Sequence, residues 1–150
     1  MSDRSEVAAP RRTFSVHTID HLVLNVADVA RSAAWYERVL GMVRETAPPS
    51  AGGRLSVRFG RQKINLRPFE APQGEWSTAR LPQAGSDDIC FLTDESPSEV
   101  VDHFRRCGVQ IELGPTTKRG ALGPICSVYV RDPDGNLIEV SSYLGGARSS

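Results

Sequence analysis

The sequence predicts an α+β fold in which two βαβββ modules form a curved, cup-like mixed sheet with the helices outside. Two observations carry this prediction. In each half of the chain, short apolar strands surround one amphipathic helix. The pattern also repeats, because Asp88 follows His21 by 67 positions and Gly108 follows Gly41 by the same 67 positions. One helix covers one face of a small sheet, so the other face of each module is left to line a cup.

The first module begins with a strand and a capped helix. Residues 19–26 are rich in β-branched and aliphatic side chains and are predicted to form the strand. Asp28 is the expected N-cap of a helix whose apolar residues recur at helical spacing until Leu40, and Gly41 ends it. Three further strands are predicted at residues 42–45, 55–59 and 63–67, separated by glycines and prolines.

The second module repeats this order. A strand at 88–93 precedes a capping box formed by Ser96 and Glu99, and the helix that follows is expected to end at Gly108. Strands are predicted at 109–113, 126–131 and 136–142, with a tight turn at 132–135 joining the last two. Residues 118–123 are predicted to form a loop near the rim of the cup.

We expect one domain over residues 14–144, with modules at about 17–69 and 86–143 and a linker between them. Residues 1–13 have little apolar content and are predicted to be a disordered leader, and residues 145–150 a tail. Three cysteines at wide spacing are expected to be reduced packing residues.

Composition excludes several partners. The 18 basic and 18 acidic residues cancel, so the chain has no net field to attract nucleic acid. It contains no apolar stretch of roughly 20 residues that would span a bilayer and no secretory signal, so a cytoplasmic protein is expected.

Alternation along the strands predicts which side chains enter the cup. If the uniformly apolar positions pack on the helices, four strands aim polar side chains at one cavity: His21, Asn65, Arg67, Asp88 and Glu139. Imidazole and carboxylate groups are typical ligands of a divalent ion that keeps an open position for substrate. The alternative is that His21 and Glu139 satisfy each other through hydrogen bonds in a half-polar barrel.

Three stretches, residues 19–24, 35–41 and 131–139, resemble the vicinal oxygen chelate superfamily, and the resemblance extends from about Ile19 to Tyr143. Members include glyoxalases, epimerases, extradiol dioxygenases, fosfomycin-modifying enzymes and metal-free proteins that sequester drugs. Residues 63–66 and 85–90 are most similar to a branch of glyoxalase-like proteins, some linked to virulence. The resemblance implies a small-molecule ligand and no particular substrate.

The resemblance also implies roles for individual residues. His21 matches the first metal ligand of the superfamily and Glu139 the last, for an ion such as Zn, Ni, Mn or Fe. Asp88 stands where many metal-bound members have histidine. Arg67 stands where the glyoxalase-like branch usually has histidine, and arginine does not bind metal.

The resemblance to the superfamily also implies which residues contact the substrate. Tyr129 lies near the position of a substrate-contacting tyrosine in the fosfomycin enzymes, although ordinary strand packing explains it equally well. Ser127 shares the face of Tyr129. Together with Asn65 and Arg67, these residues are the predicted substrate-binding set.

The leading hypothesis is a metal-dependent enzyme of lyase, isomerase or dioxygenase type that acts on a small oxygenated metabolite or drug, with Glu139 and Asp88 as catalytic residues. The alternative is a metal-free protein that binds a drug or metabolite. A homodimer is expected because open sheet faces and strand edges need a partner. We further expect Arg67 to compensate the charges of Asp88 and Glu139, and thereby to weaken metal binding.

Overall fold

A computed structural model describes residues 9–145. Most of the predicted leader, residues 1–8, and of the predicted tail, residues 146–150, lies outside the described residues. Residues 9–20 form neither helix nor strand and are exposed. The helices and strands are β1 (His21–Val26), α1 (Val29–Leu40), β2 (Val43–Thr46), β3 (Leu55–Phe59), β4 (Gln62–Pro68), β5 (Asp88–Leu92), α2 (Pro97–Arg106), β6 (Leu113–Gly120), β7 (Gly123–Arg131) and β8 (Leu137–Tyr143).

The strands form two four-stranded mixed sheets with the same topology. The first, sheet A, has the order β1-β4-β3-β2, and the second, sheet B, has the order β5-β8-β7-β6. β1 pairs in parallel with β4, as β5 does with β8, and the other pairings are antiparallel. The identical order confirms the predicted pair of βαβββ modules.

Both helices begin where their capping residues predict, and α1 ends at the predicted Gly41, whereas α2 ends at Arg106 with Cys107, one residue before the predicted Gly108, as its C-cap. The Asp28 side chain accepts a hydrogen bond from the Arg31 backbone N–H at 2.9 Å, and Gly41 ends α1 in the left-handed conformation with φ 65°. Ser96 and Glu99 form both hydrogen bonds of the capping box of α2. Within the described chain, neither helix has the length and apolar content needed to cross a membrane.

The sequence prediction was wrong about β6. Val109 and Ile111, assigned to a strand, instead pack as partly buried residues before it, and the strand is Leu113–Gly120. The predicted loop at 118–123 is therefore mostly strand, with a short turn between Gly120 and Gly123. β6 is an edge strand without apolar alternation, so its conformation comes from pairing with β7 and carries little sequence signal.

The two sheets bury their helix-packed faces in one shared core. Phe59 of sheet A and Phe91 of sheet B meet edge to face, with ring centroids 5.2 Å apart. The 132–136 turn of the second module docks on the first, where the Tyr36 hydroxyl donates to Asp132 at 2.8 Å. Burial and the neighbouring Asp132 hold the pKa of Tyr36 far above its ordinary value. Because the helix-packed faces meet, the opposite faces of the sheets point away from the core; we call these the open faces.

Tyr36→Phe tests the contact between the modules. We expect it to lower the free energy of unfolding by about 1.5–3 kcal/mol, because a buried hydroxyl bonded to a carboxylate is removed. Tyr143→Phe is the matched control, since its hydroxyl accepts a bond from the Leu122 backbone N–H at an exposed turn. Urea unfolding measures both, and an equal or larger loss in Tyr143→Phe would contradict the assignment.

Candidate functional site

Glu139 is the centre of the open face of sheet B. The Ser127 hydroxyl donates to Glu139 Oε2 at 2.5 Å and the Ser141 hydroxyl donates to the same oxygen at 3.1 Å. Both serines are buried, with exposures of 0% and 1%. Because both hydroxyls donate to Oε2, the orientation of the carboxylate is fixed.

Two further side chains flank this carboxylate. Tyr129 on β7 and Cys90 on β5 both pair in register with Glu139. Burial, followed by the adjacent Glu139, raises the pKa of Tyr129 to about 12, so its hydroxyl is a neutral donor at physiological pH. Burial raises the pKa of the Cys90 thiol, whose Sγ lies 3.4 Å from Ser141 Oγ.

A cavity of about 440 Å³ opens beside Glu139. Its wall comes from sheet B and includes Cys90, Leu92, Lys118, Tyr129, Glu139 and Tyr143. Two of the predicted site residues, Glu139 and Tyr129, therefore line one cavity, and the predicted Ser127 supports it from below.

His21 is the predicted metal ligand on the open face of sheet A. Its Nδ1 lies 2.7 Å from Asp20 Oδ1, and 48% of the imidazole is exposed. The bond to His21 lowers the pKa of Asp20. When Nδ1 carries the proton and donates to Asp20, Nε2 keeps a free lone pair for a metal or a substrate proton.

Sequence reasoning missed Asp20. Strict alternation assigns adjacent residues to opposite faces of a strand, so Asp20 was not expected beside His21. Asp20 lies just before β1, where strand alternation does not apply. The signal that would have identified it is an acidic residue directly preceding a ligand-type histidine.

Strand register shows which residue of the first module corresponds to Glu139. Val23 pairs with Asn65 in sheet A, and Cys90, 67 positions after Val23, pairs with Glu139 in sheet B. Asn65 is therefore the internal counterpart of Glu139. By the same comparison, Arg67 is the counterpart of Ser141. Both lie two residues further along their strand than Asn65 and Glu139, respectively.

Arg67 does not have the predicted role of compensating carboxylates. Its side chain is fully buried, and its guanidinium donates to the Asn25 side chain and to four backbone carbonyls. None of its partners is Asp88 or Glu139. Its charge is used within sheet A, so within one chain Arg67 does not compensate the charges of Asp88 and Glu139.

A single chain does not bring the predicted ligands together. Asp88 is exposed at the start of β5, opposite Leu137 and diagonal to Glu139, whereas His21 and Asn65 lie on the other sheet. Over residues 9–145, no three His, Cys, Asp or Glu side chains are grouped closely enough to hold a metal ion.

The pair of βαβββ modules is the fold of the glyoxalase superfamily. The profile of the Glyoxalase/Bleomycin resistance protein/Dioxygenase superfamily matches residues 18–140, and the chain belongs to this superfamily.

Two curated relatives are similar over most of the chain. The glyoxalase domain-containing protein RDO1 of Mycosarcoma maydis is 42% identical over 137 residues, which cover 89% of this chain and 72% of that protein. The virulence protein STM3117 of Salmonella typhimurium is 43% identical over 129 residues, covering 86% of each chain.

Solved structures share the fold. STM3117 superposes with a TM-score of 0.77 at 41% identity, over 87% of this chain and all of that chain (100%). Lactoylglutathione lyase from Agrobacterium tumefaciens has a TM-score of 0.63 at 25% identity, over 83% and 92%. TnmS3, an antibiotic binding protein from Streptomyces, has a TM-score of 0.67 at 18% identity over 88% and 100%, which shows the fold alone.

The tyrosine titration tests the coupling between Tyr129 and Glu139. We expect Glu139→Gln to lower the pKa of Tyr129 from about 12 toward its ordinary value, because the mutation removes the charge that disfavours the phenolate. Ultraviolet or NMR titration, with Tyr129→Phe to identify the signal, measures the change. Asp88→Asn is the control and should have the smaller effect, and an effect as large as that of Glu139→Gln would refute the coupling.

Proposed function

We propose that the protein is a metal-dependent enzyme that acts on a small oxygenated molecule in a cup built by two copies of the chain. One observation carries this proposal: the oriented donors His21 and Glu139 lie on two open faces that one chain keeps apart. The similarity to a lactoylglutathione lyase and to glyoxalase-domain proteins supports an enzymatic role.

The open faces have features of surfaces that a second copy covers. Val43 and Leu92 on these faces are 63% and 49% exposed, and Ile19 just before β1 is 63% exposed. β1 and β5 are both edge strands with unpaired backbone groups. In a twofold dimer, sheet A of one copy would dock against sheet B of the other. This docking would bury the exposed apolar side chains and the edges of β1 and β5, and it would create two equivalent cups.

Each cup then has a complete donor set. His21 of one chain and Glu139 of the other would hold a divalent ion such as Zn, Ni, Mn or Fe, and Asp88 and Asn65 would complete its coordination. Such an ion, when bound, would supply Lewis-acid stabilisation of negative charge that develops on the substrate. Alternatively, Asp88, which is exposed at the start of β5, would stay unligated and accept the substrate proton, and in either case the Tyr129 hydroxyl would donate a hydrogen bond to a substrate oxygen.

A metal-free binding protein is the second candidate. The observation that favours it is Asn65, a neutral amide at the place where the second module has a carboxylate. With this amide, the donor set holds a cation less strongly than a set with two carboxylates and two imidazoles. The same cup would then bind a small molecule without chemistry, as the printed description of TnmS3 states for that protein.

Mixing two inactive variants distinguishes a shared site from one within a chain. His21→Ala and Glu139→Ala, each alone, should lose stoichiometric metal. A heterodimer of the two chains has one cup with both wild-type ligands and one cup with neither, if ligands are shared across the dimer. After unfolding and refolding together, random pairing should restore about one quarter of the wild-type metal content by elemental analysis.

The control is a mixture of wild-type chain with the double variant His21→Ala/Glu139→Ala. After the same refolding it should retain about one quarter of the wild-type metal content, because only wild-type homodimers keep intact shared cups, whereas a site within one chain would retain about one half. If the mixture of single variants regains no metal, the shared site is refuted. If the wild-type protein itself contains no metal, the metal-free candidate is favoured.

Ligand classes can be ranked by melting temperature. We expect molecules with two adjacent oxygens to raise the melting temperature of the metal-loaded protein, because a ligand that binds only the folded state stabilises it. The panel is thiol adducts, catechols, acyl thioesters and phosphonates. A shift with bulky aromatic drugs alone, without turnover of any panel member, would favour the metal-free candidate over the enzyme.

A further inference from the structure

The chain ahead of β1 is an exposed arm. Residues 9–20, here named the arm, form neither helix nor strand, and Phe14 and Val16 are 94% and 80% exposed. In an extended segment alternate residues share one side, so Arg12, Phe14 and Val16 fall on the same side of the arm. Within the described chain, these two apolar side chains are left uncovered. They form a small apolar strip with a positive charge at one end.

The arm joins the fold at the beginning of β1. The Gln62 side chain donates to the Ile19 carbonyl at 2.7 Å, and the Lys63 backbone N–H donates to the Asp20 carbonyl at 3.4 Å. These contacts hold the last two residues of the arm beside the start of β4. Residues 13–20 include no glycine or proline, so the sequence there does not favour a tight reversal of the arm onto its own chain.

A second cavity, of about 540 Å³, opens where the two modules meet, and we name it the seam groove. Its floor is apolar, with Met42 and Phe59 from the first module and Phe91 and Val100 from the second. A volume of this size is typical of pockets that hold small ligands, so it accommodates a phenyl ring together with a valine side chain.

The charges on the rim of the seam groove give it a direction. Glu95 and Glu99 lie at the beginning of α2 and are exposed, whereas Arg106 lies in the last turn of the same helix. An apolar segment that carries a positive charge at one end is attracted to the acidic end of the groove and repelled from the basic end. The arm has this arrangement, because Arg12 precedes Phe14 on the same side.

Leu92 connects the seam groove to the open face of sheet B. Its side chain is 49% exposed and lines both the seam groove and the cavity beside Glu139. Ile19, where the arm joins the fold, is 63% exposed just before β1 of sheet A. In the dimer proposed above, sheet A of one copy lies on sheet B of the other. The arm of one copy therefore starts at an interface that is continuous with the seam groove of the other.

We propose that the arm of one copy docks in the seam groove of a second copy of this chain. Phe14 and Val16 lie on the apolar floor, and Arg12 lies at the acidic end beside Glu95. A twofold relation makes this contact reciprocal, so a dimer contains two docked arms. The inference goes beyond the proposed function, since it uses the second copy and involves no metal, ligand or reaction.

The apolar part of the contact is tested by Phe14→Ala. We expect the dissociation constant of the dimer to rise about a hundredfold or more, because each dimer loses two phenyl rings from an apolar surface. Ser15→Ala, on the other side of the arm, is the matched control and should change the constant less than twofold. Sedimentation equilibrium measures both variants, and both side chains are exposed in a single chain, so folding is retained.

The charged part of the contact is tested by reversal. Arg12→Glu and Glu95→Arg should each raise the dissociation constant about tenfold, and the double variant should return to within about threefold of wild type, because each reversed arm then meets a reversed rim. Glu99 is left unchanged because it caps α2. Arg12→Glu combined with Glu70→Arg, an exposed acidic residue outside the groove, is the control and should restore nothing.

Amide hydrogen exchange identifies the copy that holds the arm. In the wild-type protein, residues 13–17 should exchange slowly above the dissociation constant and fast below it. Slow exchange at both concentrations would mean that the arm lies in the groove of its own chain and would overturn the proposal, as would fast exchange at both. A dimer whose dissociation constant is unaffected by Phe14→Ala refutes arm docking and leaves the shared cup intact. Absence of metal from the wild-type protein bears on the proposed function alone.

Discussion

The shared core between the two modules is the constraint on which the rest of the structure depends. Each small sheet has one face that its helix covers, and the two covered faces are buried against each other through contacts such as Phe59 with Phe91. Asp132 and Asp134 in the 132–136 turn extend this contact into a buried polar network, where Asp134 accepts bonds from the Ala27 backbone and the Ser32 hydroxyl. As a consequence, the predicted site residues of the two modules lie on faces that point apart.

This geometry accounts for the incomplete appearance of the site in one chain. His21 and Glu139 each have a neighbour that orients them, Asp20 for the imidazole and Ser127 for the carboxylate, although over residues 9–145 neither belongs to a group of three side chains that could hold a metal ion. Orientation of an exposed donor restricts its rotamers, which is useful when a ligand or ion later uses that orientation. The two half-sites are therefore consistent with assembly from two chains, and the internal repeat provides a matching pair of surfaces.

The two modules differ most where they correspond most closely. Asn65 and Glu139 occupy the same place in the repeat, as do Arg67 and Ser141. In sheet B, the Ser141 hydroxyl donates to the Glu139 carboxylate. In sheet A, the Arg67 guanidinium instead donates to backbone carbonyls of the segment after β4, such as that of Trp76. At the corresponding position, one module thus has a carboxylate and the other a neutral amide.

Local patterns in the sequence determined much of the fold. The capping residues Asp28 and Ser96 gave the starts of both helices, and alternation assigned Glu139 to the open face and Ile138 to the core. These features depend on neighbours within a few residues, so the chain alone encodes them. β6 was not predictable in the same way, because an edge strand without apolar alternation takes its conformation from the strand beside it.

Only the tertiary structure decided how the parts of the site are distributed. Alternation places His21 and Glu139 on open faces, but it contains no information about which faces meet, since that depends on the docking of two sheets far apart in sequence. The role of Arg67 was decided in the same way. Its type and position suggested a partner for carboxylates, whereas the acceptors that surround it are carbonyls of a loop whose path no local pattern specifies.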